Sequence, residues 1–323
     1  MKAIVQDTYG SVGVLELRDI DKPAVGHDDV LLRVHAAGVN PGVWHVMTGR
    51  PYLMRIMGVG LRRPKARIRG TDVAGRVEAV GKGVASLQPG DEVFGDCNGS
   101  FAEYACARED KLVRKPENLT FEQAATVPDS GVTALQGLRD VGGIKPGQKV
   151  LIIGAAGGIG TFAVQIAKSF GADVTGVCST AKTNLVRSIG ADHAIDYTRE
   201  DFADGRQRYD VILDTAGNRS LSHLRRALTP QGTLVIIGGE GGGKWFGMGR
   251  QLRVFVLSPF VGQKLRSLFS LQRPKKDLQF LKELIEAGKL TPVIDRTYRL
   301  SEVPAAIRHW EAGHARGKIV IVM

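Results

Sequence analysis

Only three cysteines occur in 323 residues, and Cys97, Cys106 and Cys178 are too scattered for a disulfide framework. That scarcity implies a reduced compartment, with the cytoplasm as the expectation. No apolar run approaches the ~18 residues needed to span a bilayer. Met1-Lys-Ala-Ile-Val5 reads as a strand rather than a signal peptide. Helix-turn-helix, zinc-finger and RNP-type aromatic patterns are all missing, so no specific nucleic-acid readout is expected. There is no internal repeat, low-complexity tract or flexible linker. Acids are absent from two stretches of a chain whose net charge is +11. Seven basic residues lie between Arg50 and Arg69, and eight between Lys244 and Lys276. The second stretch interleaves Trp245, Phe246, Phe255, Phe260 and Phe269. Such a mixture suits a solvated rim around an apolar mouth, or weak contact with an anionic membrane surface or acidic partner.

What is present centres on Lys149-Val-Leu-Ile-Ile-Gly-Ala-Ala-Gly-Gly-Ile-Gly160. The apolar run Val150–Ile153 reads as a buried parallel strand. It breaks into glycines and reopens as a helix from Thr161, the context a dinucleotide-binding fingerprint requires. Gly157 lets backbone approach a pyrophosphate, Gly160 lets helix pack on strand, and the helix start offers free N–H groups. Ala155 stands where the first glycine of the pattern is expected. Ala155, Gly157, Gly158, Ile159 and Gly160 are therefore the candidate phosphate-binding residues. A structural glycine turn is the alternative.

The next strand, Asp173 to Val177, ends at Cys178 with no acid to take a ribose 2′-hydroxyl. Ser179, Thr180 and Lys182 follow, with Arg187 one turn on. Hydroxyls and a cation suit a 2′-phosphate, so NADPH is expected over NADH. The bland reading is that Lys182 and Arg187 only solvate a surface helix.

The first ~120 residues carry strand-like runs at Val30–Val39, Val73–Val80 and Glu92–Phe94, separated by turn signals. Thr120 and Gln123 predict a capping box for a helix running towards Val127. Beyond it, strands at 150–153, 174–177, 194–195, 211–213, 233–237 and 252–257 alternate with helices at 161–170, 182–189 and 219–227. That alternation predicts a doubly wound parallel sheet. Helices near Asp277–Gly288 and Val303–Glu311 and a strand Ile319–Met323 complete the chain.

Eight segments in order extend the pattern across essentially the whole sequence. They are Ala36-Ala-Gly-Val-Asn-Pro41, Gly70-Thr-Asp-Val-Ala-Gly-Arg-Val77, Val80-Gly-Lys-Gly-Val84, Pro89-Gly-Asp-Glu-Val-Phe-Gly95, Gly99-Ser-Phe-Ala-Glu-Tyr104, Gly131-Val-Thr-Ala-Leu135, Ala155-Ala-Gly-Gly-Ile-Gly160 and Gly313-His-Ala-Arg-Gly-Lys-Ile319. With these the chain resembles the medium-chain dehydrogenase/reductase superfamily, in its zinc-independent quinone oxidoreductase (zeta-crystallin-like) branch. The resemblance implies an α/β protein: a GroES-like β-rich catalytic domain plus a doubly wound six-stranded parallel Rossmann domain, with a cleft between them. The expected boundaries are 1–124 for the first part of the catalytic domain, 125–260 for the Rossmann domain and 261–323 for the return.

The same resemblance implies roles. Asn40 and Tyr52 become catalytic candidates, one donating from its amide and the other from its phenol. A turn residue before Pro41 and ordinary packing beside Pro51 are the respective alternatives. Trp44 reads as a pocket wall. Thr133, at a helix start, Tyr197, Ile237, Gly238, Gly239, Gly317 and Lys318 become candidate cofactor contacts, and Asp214 reads as structural. No metal is expected, because Asn40 replaces the first thiolate and Gly70-Thr71-Asp72 replaces a Gly-His-Glu pattern. Without a Lewis acid the acceptor must be activated already: a small hydrophobic quinone or α,β-unsaturated carbonyl, reduced by NADPH. A 2-enoyl thioester reductase of the same fold is the first alternative. A non-enzymatic, NADPH-sensing RNA-binding or crystallin-like protein is the second. A homodimer through the Rossmann domains is also implied.

Overall fold

The computed structural model describes residues 1–237, 249–268 and 272–323. The chain forms two compact units. The first holds residues 1–132, 272–288 and 292–323, and the second 133–271 and 289–291.

The first unit is β-rich. Its strands are β1 (Lys2–Val5), β2 (Glu16–Asp19), β3 (Asp29–Val39), β4 (Asp72–Val80), β5 (Glu92–Asp96), β6 (Tyr104–Arg108) and β7 (Leu112–Arg114). The C-terminal part adds β14 (Ile294–Arg299) and β15 (Lys318–Val322), β8 to β13 belonging to the second unit. The larger sheet runs β14-β15-β3-β4-β5-β7, with β6 also on β3. Among the described strands of this sheet the β14–β15 pair is parallel and the others run antiparallel. β3 is the axis, and its Val30, Leu32 and Val34 enter one core with Val73, Val77, Val93 and Leu112. A second core gathers Ile4, Val39, Phe101, Ile319 and Ile321. Against it pack α1 (Pro41–Thr48), through Val43 and Met47, and α8 (Val303–Glu311), through Val303 and Ile307.

Thr120 and Gln123 make the expected capping box, but the helix they start, α2 (Phe121–Ala124), is a single turn. A new helix, α3 (Val127–Gln136), begins after Ala125 and Thr126.

In the second unit β8 (Lys149–Ile153), β9 (Asp173–Cys178), β10 (His193–Asp196), β11 (Tyr209–Asp214), β12 (Leu228–Ile236) and β13 (Lys264–Ser267) form a sheet ordered β10-β9-β8-β11-β12-β13. Every neighbouring pair is parallel. The chain order reverses at β8 and β11, the switch point at which open α/β sheets bind ligands. α4 (Gly158–Ser169), α5 (Thr183–Ser188) and α6 (Leu221–Arg226) make the crossovers. Gln165 of α4 exchanges hydrogen bonds with the backbone of Thr291, which ties residues 289–291 to this unit.

The sixth strand is not 252–257. That segment lies in a helix, α7 (Gly249–Leu257), and the sheet is completed by β13. Leu252-Arg-Val-Phe-Val-Leu257 alternates like a strand, yet only Val254 is buried, while Leu252 is 65% and Phe255 78% exposed. One apolar contact per two turns suffices to seat a helix, and period-2 patterning in so short a run does not exclude one.

Candidate functional site

The glycine-rich turn sits at the switch point. Asp214 lies in register with Ile153, and Thr215 Oγ1 donates to the Ile153 carbonyl, joining the ends of β8 and β11. Gly154 and Ala155 both donate to the Val177 carbonyl, which fixes the turn on β9. A Cβ on Gly160 would lie 2.1 Å from the Gly154 oxygen and 2.7 Å from the Ala155 Cα, so only glycine lets α4 approach this closely. Gly157 is different, since a Cβ there would meet only the Gly154 oxygen, at 3.3 Å. Gly157 is also the N-cap of α4 and supplies no side chain, leaving the N–H groups of Gly158, Ile159 and Gly160 without an intrahelical acceptor. Free donors, a positive dipole end and room for close approach fit the pyrophosphate of a dinucleotide.

At the end of β9, Ser179 and Lys182 are half-buried. An acid does stand beside them, and sequence reasoning missed it. Asp196 ends β10, opposite Cys178, and accepts hydrogen bonds from Thr180 and Thr198. These bonds, Thr180 first, hold its carboxyl below the usual range against a smaller upward pull from burial. The signal was available in the 3-2-1 strand order, which sets the end of the third strand next to that of the second. Asp196 thus occupies the Thr180 hydroxyl and leaves Ser179 and Lys182 as the phosphate candidates. Tyr197 follows, 46% exposed, with the Arg219 guanidinium 5.9 Å from its ring centre. Ile237 donates its N–H to the Asp214 carbonyl just past β12. Gly238 and Gly239 lie outside the described residues. Asp214 is structural: fully buried, it accepts from the backbone of Ala216 and Gly217 and from Arg250. Thr133 is not at a helix start but six residues into α3, 5% exposed, because Pro128 fits the first turn of a helix beginning at Val127.

The first unit holds the other candidates. Asn40 caps α1, its Oδ1 accepting from the Val43 N–H at 3.2 Å while its Nδ2 donates to Thr71 Oγ1 at 3.0 Å. With the residue 2% exposed, capping is its visible role. Tyr52 is half-buried, with the Arg55 guanidinium 4.7 Å from its ring centre. Trp44, half-buried, packs on the second core and donates to Glu311. Gly317 and Lys318 are also redirected inward. Gly317 has φ +105° and its Cβ would strike the Val293 oxygen at 2.4 Å, so it serves a tight backbone approach. The Lys318 ammonium, 3% exposed, donates to the Val39 carbonyl and Ser130 Oγ and lies 3.7 Å from Asp72. Its donors are engaged inside the unit, which argues against a cofactor contact.

Lys318 is part of a buried ionic group. Arg273 donates to both Asp96 and Asp129 and approaches Asp72 to 3.9 Å. Asp72, fully buried, is pushed up to about 7 by desolvation, with Asp129 and Asp96 adding to the shift and Arg273 and Lys318 opposing it. A raised carboxyl favours folding in its protonated form. Its contribution is complete below pH ~4 and is lost as pH rises to about 7. Asp72→Asn, which cannot ionise, should therefore gain stability relative to the parent as pH rises across that window. Urea melts at pH 4.5, 6 and 7.5 measure this; a difference independent of pH contradicts it. Asp96, raised chiefly by burial, remains in the variant and keeps part of the slope.

Among the described residues no group of three or more His, Cys, Asp or Glu side chains is placed to hold a metal ion. The nearest candidates have other partners: His45 Nδ1 meets the Arg50 carbonyl, and His35 stacks on Phe121. Asn40 and Thr71, at the positions of two family zinc ligands, bond to each other. This donor set does not fit zinc.

Sequence models of two families match, the alcohol dehydrogenase GroES-like domain over residues 26–117 and the zinc-binding dehydrogenase over 189–321. A 2-methylene-furan-3-one reductase of Solanum lycopersicum is 34% identical over 99% of this chain and 79% of its own length. An NADPH-dependent alkenal/one oxidoreductase of Arabidopsis thaliana chloroplasts is also 34% identical, with the same coverage. Among solved structures, the quinone oxidoreductase of Coxiella burnetii superposes with a TM-score of 0.88 at 31% identity, covering 100% of this chain and 99% of its own.

Proposed function

The chain belongs to the medium-chain dehydrogenase/reductase superfamily, in its quinone oxidoreductase branch, and we propose that this oxidoreductase is an NADPH-dependent reductase of small hydrophobic quinones or α,β-unsaturated carbonyls. The observation that carries this reading is the uncapped α4 start packed on its strand through Gly160, with Ser179 and Lys182 at the end of β9. The N–H groups of Gly158 to Gly160 hold the pyrophosphate, and Ser179 and Lys182 take the 2′-phosphate. Tyr197 and Ile237 flank the cofactor's adenosine and nicotinamide ribose ends respectively. When bound, the nicotinamide supplies a hydride to the conjugated acceptor. The protein's own part is to orient the acceptor, exclude water and provide the proton that completes the reduction. The Tyr52 phenol is the candidate donor of that proton. Asn40, as the cap of α1, fixes the start of the segment that carries it. The alkenal/one and methylene-furanone relatives favour enones as one acceptor class.

The test is NADPH and NADH oxidation against 1,4-benzoquinone, 9,10-phenanthrenequinone, an alkenal and a crotonyl thioester. Quinone or enone turnover with NADPH preferred supports the proposal; turnover of the thioester alone turns it to the enoyl reductase reading. Lys182→Ala should lower kcat/KM for NADPH about tenfold, the loss of one partly exposed charge-assisted contact, and leave NADH nearly unchanged. Equal losses with both cofactors contradict the 2′-phosphate assignment.

We also propose a homodimer through the β13 edge. Among the described residues β13 has one hydrogen-bonded neighbour, and Leu252, Phe255, Val256 and Phe260 beside it are exposed. Phe255→Asp should convert a dimer to a monomer in light scattering; a parent that is already monomeric contradicts this.

A further inference from the structure

Arg69 differs from the other six basic residues of the Arg50–Arg69 stretch in being 3% exposed. The backbone explains its direction. Val5 bridges Ile68, Arg69 donates its N–H to the Ile4 carbonyl, and Gln6 donates to the Arg67 carbonyl. This register sets Arg69 opposite Ile4, on the face that also carries Gln6 and looks into the core of Met47 and Phe101. There Nε and Nη2 of Arg69 have no hydrogen-bond partner among the described residues. Among the described residues no carboxylate acts on the guanidinium, and Tyr9 is the one group that favours its charge. Burial lowers its pKa only to about 10, so it remains a cation at neutral pH. An unpaired buried cation costs several kcal/mol, which calls for an anion.

The unpartnered atoms have a specific shape. Nε–H and Nη2–H point parallel from one edge of the guanidinium, the geometry that receives two oxygens of a carboxylate or phosphate. A water would satisfy these donors but not the charge. Tyr9 donates to the Gly60 carbonyl at 2.5 Å, holding Tyr9 to the segment that continues through Arg62, Arg63 and Lys65, all exposed. Cations at the surface raise the local concentration of anions over a site below.

We propose that the Nε–Nη2 edge of Arg69 is a binding site for an oxyanion, a carboxylate or phosphate group, reached past Arg62, Arg63 and Lys65. The oxyanion has two sources: an acid group on the acceptor itself, or a free small anion that completes the fold. The first rests on the reductase reading and the second does not.

The experiment titrates full-length protein, selectively 15N-labelled at arginine, with acetate, inorganic phosphate and, as an uncharged control, acetamide. One arginine Nε–H resonance should shift saturably with acetate or phosphate, ignore acetamide, and be missing from Arg69→Gln. If that variant does not fold, Arg69→Lys, which keeps the charge and lacks the fork, takes its place. No saturable shift, an equal shift with acetamide, or a shift that persists in the variant overturns the proposal. The sources separate in a second arm, comparing 2-carboxyethyl-1,4-benzoquinone with its methyl ester. An acid preference of about 10- to 100-fold in kcat/KM that Arg69→Gln removes assigns the site to the acceptor. Equal turnover, or none, with a melting temperature raised by acetate assigns it to a free anion.

Discussion

Arg273→Met is expected to lose about 3–5 kcal/mol of stability, the range found when one partner of a buried ionic group is removed. The guanidinium donates to Asp96 and Asp129 and stands 3.9 Å from Asp72; without it Asp72 is left with Lys318 and Asp96 with the field of Lys111. Methionine preserves much of the volume, so the loss reports charge rather than a cavity. Two companions make the measurement decisive. Arg273→Lys should recover part of the loss, because one ammonium cannot match the fork that reaches two carboxylates. Adding Asp129→Asn to Arg273→Met should recover stability as well, since it removes one of the repelling charges. Chemical denaturation at neutral pH reads all three. A loss below 1 kcal/mol for Arg273→Met would show that the group is solvated and not buried.

Gly160→Val should remove cofactor binding almost completely while Gly157→Ala leaves the fold intact. Overpacking an ordinary core costs about 1–3 kcal/mol because side chains can shift. At Gly160 the obstructing atoms are the Gly154 oxygen and the Ala155 Cα and carbonyl carbon, 2.1–2.8 Å from the added Cβ. Backbone cannot step aside without dislodging α4 from β8, so the free donors of Gly158 to Gly160 move with it. Affinity for NADPH should fall by on the order of 100-fold or more, equivalent to about 3 kcal/mol. At Gly157 the Cβ meets one atom at 3.3 Å and otherwise points into open space. Gly157→Ala should therefore melt like the parent and bind cofactor more weakly, because the methyl occupies room a phosphate would use. Fluorescence titration with NADPH and thermal melts separate the two. Equal affinities in both variants would disprove the assignment of this turn to phosphate.

The contrast between these two glycines was legible before any coordinates, because spacing within strand–turn–helix dictates which glycine faces a ligand and which faces the strand. The strands at 150–153, 174–177 and 211–213 were legible for a similar reason: short β-branched runs bounded by turn residues have few other uses. Residues 252–257 misled because alternation over six residues fits a strand and a surface helix alike. Tertiary partners were harder to foresee. Arg69 and Arg273 read as rim on composition, since basic side chains are rarely buried, and Lys318 as a cofactor contact through the resemblance. Nothing local announces that Asp72, Asp96 and Asp129 converge on Arg273 from separate elements. Asn40 was singled out from the sequence, but its partnership with Thr71 depends on strands thirty residues apart.

The first unit's sheet has a consequence for how the chain is made. β15 lies between β14 and β3, and Lys318 reaches the Val39 carbonyl across 279 residues. At ribosomal rates of about 5–20 residues per second, β3 waits tens of seconds for that neighbour. Through the interval the Ala36–Val39 edge is unpaired and Asp72 lacks its ammonium, whereas the parallel sheet of the second unit has all six of its strands by Ser267. The nascent chain thus carries a finished nucleotide fold joined to an unfinished sheet. The exposed β3 edge is where a chaperone would be needed, and where a polypeptide released before β15 emerges would aggregate.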